Sequence, residues 1–455
     1  MKIKRERILQ MSKGKILGYG VSSLGKDLCN IIISTYLMLF YTNILGISAF
    51  AGGMIMMGTK IWDAVNDPIM GVIADKTKSR WGKYRPYILF VPPLLAIFGV
   101  LVFIPVNFSN VGKVTWAAVT YVIMSMLSTA FNIPVLSLMP TLTKNPKERS
   151  ALATCQTFFT TLAVVLGSTF AYPLIKLLGG GSETSNLAKG YPWAMAVVGI
   201  ILIASGWTTF ISTREEIETA QVESLKITQR FRNLLHKPFA AVEGINFLFT
   251  LAMSVGNAMG SYYVLYVLNN EALLSIYMFI MTIAMSCVTV IIPSVLKRLS
   301  REKALVMFLL IGIASHVSMF ILGDRNIPLL LVLTFVGSAC SFAPATIVTI
   351  MCTDVSDYTF YRTGRREDGV MYSINNLTAK IAQAINSGLL GILLSACGFD
   401  AALSVQSAST ITGLNIMRYL YPIIPFAGAI IFALIYPLKG KMLEDVRAAI
   451  AEKKN

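Results

Sequence analysis

Charged side chains are scarce in this chain. Only 14% of its 455 residues are charged, whereas a soluble globular protein carries about 25%. Acidic residues are the scarcer sign, with 23 Asp and Glu against 39 Lys and Arg. This shortage excludes an ordinary soluble domain. The chain is instead 55% hydrophobic with a mean hydropathy of +0.66, which predicts a polytopic membrane protein.

Cysteine and histidine are also few, which excludes several kinds of chemistry. The six cysteines form no C-x-x-C pair and fall almost wholly in apolar segments, as small core residues do. The two histidines, His236 and His316, lie far apart in the sequence without ligand partners. With no nucleophile–base set and no metal spacing, we predict neither an enzyme nor a bound cofactor. No short apolar region follows the basic N-terminus, so a cleavable signal peptide is not expected.

Apolar segments of about 20 residues, long enough to cross a bilayer, occur twelve times. They run over about 17–45, 49–75, 86–106, 113–140, 149–178, 191–212, 239–268, 272–297, 303–323, 327–353, 369–397 and 413–437. Basic residues concentrate in alternate loops, which the positive-inside rule assigns to the cytoplasm. We therefore predict a multi-pass plasma-membrane protein, in the inner membrane of a bacterium, with both termini cytoplasmic. The net charge of +16 then reflects orientation and contact with membrane lipids, not nucleic acid.

The longest polar stretch, 213–238, divides the predicted spans into six and six. We predict an N-terminal bundle over 1–212, a cytoplasmic central loop over 213–238, a C-terminal bundle over 239–438 and a cytoplasmic tail over 439–455. Two six-helix halves around a midplane site are typical of major facilitator transporters. The predicted fold class is therefore an all-α membrane protein with a major facilitator fold.

The second predicted span carries acids inside an apolar run. Asp63 and Asp67 are four residues apart and share one face of a helix. A charged side chain in hydrocarbon is costly and usually marks an ion path or a polar cavity. We predict a cation site formed by these two carboxylates, with Asn66 and Thr129 adding neutral oxygens. Those oxygens favour sodium as the coupling cation, with protons or lithium as alternatives.

Further polar residues in the spans predict a sugar site. Asp27 in the first span accepts hydrogen bonds only, and sugar hydroxyls are good donors. Asn132, Asn375 and Asn376 would add polar contacts. Lys380 would neutralise the acids of the second span while the cation is absent. The competing interpretations are structural ion pairs of the acids with lysines and plain interhelical hydrogen bonds of the asparagines.

Charged residues at the cytoplasmic ends of the spans predict an inner gate in which ion pairs latch the two halves together. The predicted gating residues are Asp75, Arg80, Lys83 and Arg85 after the second span, and Asp354, Asp357 and Arg365 after the tenth. The alternative is a set of solvated loop charges that only determine topology.

Four sequence blocks resemble the glycoside–pentoside–hexuronide:cation symporter family. They are Tyr19-Gly20 with Gly25-Lys26-Asp27, Trp62-Asp63-Ala64-Val65-Asn66-Asp67-Pro68-Ile69-Met70-Gly71, Arg80-Trp81-Gly82-Lys83-Tyr84-Arg85-Pro86, and Asp354, Asp357-Tyr358, Thr363-Gly364-Arg365 with Tyr372-Ser373. The resemblance covers essentially the whole chain and implies cation-coupled uptake of a small sugar or glycoside. By position it assigns Asp63 and Asp67 to the cation, Asp27 to the sugar, and Lys380 to the link between the two sites.

The chain departs from the family pattern mainly on the sugar side. Asn132 stands where a second sugar-binding acid is expected, Leu136 and Ala345 replace tryptophans, and Thr157 replaces an arginine. Which glycoside, pentoside or hexuronide is carried is therefore left open.

We predict a symporter that works by alternating access, as a monomer. A lysolipid or other amphiphile:cation symporter is the alternative, because Leu136, Ala345 and Met371 make the pocket less sugar-like. A sensor or scaffold would need a soluble domain, for which the central stretch and tail have no room.

Overall fold

A computed structural model describes residues 11–143, 145–215, 232–322, 326–364, 368–401, 403 and 405–452. Regular secondary structure within these ranges is helical, as the predicted fold class requires. The helices are α1 (Lys13–Gly20), α2 (Ser22–Leu39), α3 (Ala49–Lys76), α4 (Arg85–Val102), α5 (Asn110–Leu142), α6 (Pro146–Gly179), α7 (Thr184–Ser212), α8 (Lys237–Tyr262), α9 (Glu271–Val295), α10 (Arg301–Leu322), α11 (Ile327–Thr363), α12 (Asp368–Ala396), α13 (Ala408–Asn415), α14 (Ile423–Ile435) and α15 (Lys441–Glu452). Three π-helical turns, Phe40–Ile44, Tyr263–Val267 and Ile416–Leu420, follow α2, α8 and α13.

Ten helical stretches among the described residues are long and apolar enough to cross a membrane. They coincide with the ten predicted segments from the third onward. The first two predicted segments are also helical, but Lys26 and Asp27 in α2 and Lys60, Asp63 and Asp67 in α3 lower their hydropathy. The count of twelve spans therefore stays a prediction. The two segments that are not apolar enough by this criterion are α2 and α3, which carry the predicted sugar-binding acid and the predicted cation-binding acids.

Side-chain caps determine where several helices begin. Asn270, Asn326 and Ser407 each accept a hydrogen bond from the backbone N–H three residues later, at 3.3, 3.1 and 3.2 Å. Each cap satisfies a donor that the first turn of a helix leaves unpaired. At the other end of α11, Gly364 has a φ of +70°, a left-handed conformation that glycine adopts without steric penalty.

Residue contacts divide the chain into two compact units. The first unit holds the described residues within Met1–Ile33, Val65–Pro105 and Trp116–Gln221, and the second holds those within Ser34–Ala64, Val106–Thr115 and Val222–Asn455. A boundary between the units falls inside α3, after Ala64. The two predicted six-helix bundles stay a prediction, and residues 216–231 of the predicted central loop lie outside the described ranges.

Glycine allows close helix packing in the first unit. There α4 and α6 pack along α7, and α1 packs against α6 and α7. A Cβ added at Gly25 would lie 2.2 Å from the Leu202 Cα, and one at Gly190 would lie 2.0 Å from the Ile175 carbonyl oxygen. These neighbours are backbone atoms that cannot rotate away, so α2 is held against α7 beside the predicted sugar-binding acid.

A second glycine contact joins α3 and α12 within the second unit. In this unit α11 packs on α9 and α10, and α8 packs on α12 and α14. A Cβ at Gly53 would lie 2.8 Å from the Gly391 Cα and 2.9 Å from the Ser387 carbonyl oxygen. A Cβ at Gly391 would lie 2.4 Å from the Ala49 carbonyl oxygen. The two backbones therefore cross at a distance that only paired glycines allow.

We expect Gly53→Ala to lower the thermal unfolding midpoint and Gly58→Ala to raise it. Both glycines lie inside α3, where alanine gains about 1 kcal/mol of helix propensity. Gly58 has open space at its Cβ position, so only that gain applies. At Gly53 the new methyl meets the α12 backbone, and overpacking of this kind costs about 1–3 kcal/mol. If the thermal unfolding midpoints of both purified variants rise, the close crossing of α3 and α12 is wrong.

Candidate functional site

One turn of α3 carries three of the four predicted cation ligands. Asp63 and Asn66 are buried, with 6% and 8% of their surface exposed, and Asp67 is half-buried. Because a single continuous helix holds them, Asp63 and Asp67 share a face. The Lys60 ammonium lies 3.9 Å from an Asp63 oxygen, a long ion pair. One lysine therefore lies beside two acids on this face of the helix.

The fourth predicted ligand meets this turn from α5. The Thr129 hydroxyl donates a hydrogen bond to Asp67 Oδ1 at 3.0 Å, and Thr129 is itself buried. The hydroxyl oxygen keeps lone pairs for a cation after donating its proton. Two oxygens at this separation can both lie within 2.3–2.6 Å of one hard cation. The contact brings a neutral and a charged oxygen together, as the sequence suggested.

Asp27 lies in a polar cluster that involves three helices of the first unit. The Lys26 ammonium is 3.1 Å from Asp27 Oδ1, and the Thr160 hydroxyl of α6 donates to Asp27 Oδ2 at 2.7 Å. Lys26 also donates to the Asn132 side-chain oxygen of α5 at 2.9 Å. Asp27 and Asn132 are therefore joined through Lys26. The ion pair of Asp27 with a lysine, which the sequence left open as an alternative, is therefore present. The same lysine brings the predicted sugar-site residues Asp27 and Asn132 together.

The predicted sugar contacts of α12 have partners of their own in the second unit. The Asn375 amide donates to Glu243 Oε1 of α8 at 3.2 Å, and the Asn246 amide donates to the Asn375 carbonyl oxygen at 2.9 Å. This is the interhelical bonding that the sequence left open as an alternative. Asn376 is exposed, and Lys380 is half-buried one turn further along α12.

Thr160 and Glu243 were missed by the sequence analysis. A threonine in an apolar helix gives no signal, because its hydroxyl often bonds its own helix backbone. Glu243 did give one, since it is an acid inside the seventh predicted segment, and acids in spans are rare.

The predicted cytoplasmic gate residues after α3 form contacts inside the first unit. The Tyr84 hydroxyl donates to Asp75 at 2.7 Å. Burial, together with this hydrogen bond and the Asp75 charge, raises the pKa of Tyr84. The backbone N–H groups of Lys83 and Tyr84 donate to the Glu215 carboxylate at 2.9 and 2.8 Å. Glu215 thus fixes the loop between α3 and α4.

The two arginines of this loop are also engaged. Arg85 donates to the Phe210 carbonyl oxygen at 2.8 Å, and its guanidinium lies 4.3 Å from the centre of the Phe210 ring. The Arg80 guanidinium lies 4.1 Å from the centre of the Trp81 ring. These cation–π contacts hold both side chains against their own unit.

The predicted gate residues near the end of α11 belong to the second unit. Asp354 is buried, with 1% of its surface exposed, and lies 2.7 Å from Arg301 at the start of α10. Asp357 is half-buried, and Arg365 lies outside the described residues. A latch between the two halves therefore stays a prediction.

His236 caps the N-terminus of α8. Its Nδ1 accepts from the Phe239 N–H at 3.3 Å, so Nε2 carries the proton and donates to the Thr359 hydroxyl at 2.9 Å. Burial, and then the positive charge of Arg362, lower the pKa of His236 to about 4. The ring is therefore neutral at physiological pH and serves as a structural cap.

In the part of the chain that the structure describes, no three His, Cys, Asp or Glu side chains gather as a metal cluster. The α3 turn has two acids with neutral oxygens, which suits a monovalent hard cation better than a transition metal.

Comparison with known proteins identifies the family. A model described as MFS/sugar transport protein matches residues 18–440. The chain belongs to this family. It is 32% identical to the isoprimeverose transporter of Lactiplantibacillus pentosus, over 95% of this chain and 91% of that protein. It is 28% identical to the inner membrane symporter YicJ of Escherichia coli (strain K12), over 96% and 95% of the two chains.

Solved structures agree on the fold. A bacterial homologue of the human lysosomal transporter Spinster superposes with a TM-score of 0.70 at 12% identity, over 96% of this chain and 97% of the other. The major facilitator fold and the resemblance to the glycoside–pentoside–hexuronide:cation symporters are thus confirmed. The protein is a multi-pass membrane transporter, not an enzyme.

We expect the free energy of unfolding of the wild-type protein to fall between pH 7 and pH 5, relative to that of the His236→Asn variant. The folded-state pKa is about 4 and the unfolded value is about 6.5. Unfolding therefore takes up a proton below pH 6.5, and stability falls as pH decreases towards 4. After allowance for partial solvent screening, the difference at pH 5 is about 1 kcal/mol. Asparagine retains an oxygen that can cap the helix, so the variant lacks only the titrating group. If the unfolding midpoints of the two proteins change equally with pH, the lowered pKa of His236 is wrong.

Proposed function

We propose that the protein is a symporter that couples one monovalent cation to the uptake of an uncharged sugar or glycoside by alternating access. The observation that carries this proposal is the acidic turn of α3, where Thr129 meets Asp67 in a chain of the sugar-transport family. We place the protein in a bacterial inner membrane with both termini in the cytoplasm, acting as a monomer. The name of the E. coli relative supports the membrane and the symport mode.

The oxygen-bearing side chains at the α3 turn support a cation site there. Two acids and one lysine lie on the same face of the helix, and the Lys60 ammonium is 3.9 Å from an Asp63 oxygen. Asp63 and Asp67 would supply charged oxygens, and Asn66 and Thr129 neutral ones. This mixed set favours sodium over a proton, which needs only an acid, and lithium would compete as a second hard monovalent ion. While no cation is bound, the Lys380 ammonium would neutralise the acids of α3.

Charge balance supports an uncharged substrate. Among the described residues of the cluster around Asp27, the one acid is paired with Lys26 at 3.1 Å. The other members, Asn132 and Thr160, are neutral hydrogen-bonding groups. A site with no surplus charge is suited to sugar hydroxyls, which both donate and accept. The isoprimeverose transporter is the relative whose name agrees with this chemistry.

Contacts in the second unit support a closed outer side. The predicted topology places the start of α3 and the end of α12 outside, where Gly53 crosses Gly391. In the same unit the Thr42 hydroxyl lies 3.3 Å from the Tyr262 hydroxyl, and the Asn43 amide donates to the Tyr266 hydroxyl. Alternating access would require these contacts to separate. They join the first two predicted spans to the seventh and eleventh.

We expect Asp67→Asn to abolish sodium-dependent stabilisation of the purified protein. Thr129→Val removes one neutral oxygen without changing the volume. It should raise the sodium concentration for half-maximal stabilisation about tenfold, equivalent to about 1.4 kcal/mol. Thr129→Ser keeps the oxygen and should remain near the unchanged protein. The measurement is the unfolding midpoint against sodium concentration at constant pH and ionic strength.

Asp445→Asn is the matched control, because Asp445 is an exposed acid on α15. If Asp67→Asn and Thr129→Val both keep the original sodium dependence, the ion site is wrong. If a pH gradient drives sugar uptake into proteoliposomes in the absence of sodium, the coupling ion at these acids is instead a proton.

We expect Asp27→Asn to abolish sugar binding and leave sodium binding intact. Thr160→Val should weaken sugar affinity about fivefold to tenfold, because Asp27 loses the donor that orients it. Thr208→Val is the control, since that hydroxyl donates to the Ala204 carbonyl oxygen of its own helix. The measurement is equilibrium binding of labelled isoprimeverose, followed by other neutral glycosides. Unchanged affinity in Asp27→Asn would make the Lys26 pair purely structural.

We do not favour transport of a lysolipid or other amphiphile. The matching family model is described as a sugar transport protein, and the relative of 32% identity is an isoprimeverose transporter by name.

A further inference from the structure

An arginine is enclosed within the second unit. Arg418 lies in the π-helical turn Ile416–Leu420 with 3% of its surface exposed. Its Nε and Nη2 donate to the Tyr277 hydroxyl at 3.1 and 2.7 Å. Its guanidinium carbon lies 5.6 Å from the Tyr277 ring centre and 5.4 Å from that of Tyr419. A hydroxyl and two ring faces carry only partial negative charge, and an enclosed full charge costs several kcal/mol without further compensation.

The remaining guanidinium nitrogen borders a small cavity. A Cβ added at Gly256 would lie 3.5 Å from Arg418 Nη1, so the missing side chain leaves room in front of that nitrogen. The cavity is also lined by His316, Ser338 and Ser341. None of its described lining residues is acidic. The arginine therefore faces a space where the protein supplies no counter-charge.

A second polar group at this cavity has no hydrogen-bond partner among the described residues. Ser341 is 1% exposed, and its hydroxyl oxygen is buried without a partner. Buried hydroxyls in proteins are nearly always satisfied, so such a group indicates a bound species. The His316 Nδ1 is already used, because it donates to the Gly312 carbonyl oxygen at 2.9 Å.

We propose that this cavity binds a small monovalent inorganic anion of the halide class, held by Arg418 Nη1 and the Ser341 hydroxyl. The walls also include Met253, Met281 and Met319, whose thioethers are soft and polarisable. Such walls suit a weakly hydrated halide better than a strongly hydrated oxyanion. The proposal is independent of the cation and sugar sites, because none of their residues takes part.

The test is thermal unfolding of the full-length protein in chloride against gluconate, at constant sodium and ionic strength. Chloride should raise the midpoint saturably by about 2–5 °C at a hundredfold excess over its dissociation constant, and bromide should replace it. Arg418→Met keeps much of the volume and should abolish the effect. Ser341→Ala should raise the half-saturating chloride concentration about fivefold. Arg298→Met, at an exposed arginine of the same unit, should change nothing.

A direct measurement covers the case in which Arg418→Met does not fold. Crystals of the unchanged protein grown in bromide should give an anomalous peak beside Arg418 Nη1 and Ser341. Equal midpoints of the unchanged protein in chloride and gluconate, or crystals without that peak, would overturn the proposal in favour of bound water. Either result leaves the symport proposal unaffected, because its tests use other residues.

Discussion

A charge removed from water needs a partner inside the protein, and this constraint explains how the buried charged side chains of the helices are paired. An unpaired buried ion costs several kcal/mol, whereas a paired and hydrogen-bonded ion is tolerated. The buried or half-buried charges meet it in different ways: Asp27 with Lys26 and Thr160, Asp67 with Thr129, Asp354 with Arg301, and Arg418 with Tyr277. At Asp354 the partner is the oppositely charged Arg301, so the two charges offset each other within the protein. At Asp67 the hydrogen-bond donor is the neutral Thr129 hydroxyl, whose oxygen can also bind a cation.

Features with a short-range cause could be predicted from the sequence. The ten long apolar helical stretches from α4 to α14 follow the predicted apolar segments, because each has to satisfy its backbone within the hydrocarbon. Asp63 and Asp67 could be placed on one face from their spacing alone, since the pitch of a helix does not depend on tertiary structure. The family resemblance followed from the motifs around these acids.

Features that depend on tertiary contacts could not be predicted. Thr160 reaches Asp27 only because α2 and α6 lie together in the first unit, and nothing in the α6 sequence distinguishes it from other threonines. The crossing of Gly53 and Gly391 joins positions more than three hundred residues apart. The gate residues were recognised as a class, but their partners, such as Glu215 and Phe210, are backbone or loop contacts without a sequence pattern.

Two hydrogen bonds of the first unit, one from each proposed site, involve the same helix, and this bears on how the two sites would be coupled. Thr129, which contacts Asp67, and Asn132, which contacts Lys26, are three residues apart on α5 and therefore adjacent on its surface. In the proposed mechanism, a cation bound by the Asp67 oxygens would change the hydrogen bond between Thr129 and Asp67. Because a helix is stiff, a displacement of Thr129 would be passed to Asn132 and the Lys26 pair. Coupling is reciprocal, so any change that the cation makes in sugar affinity would be matched by an equal change that the sugar makes in cation affinity.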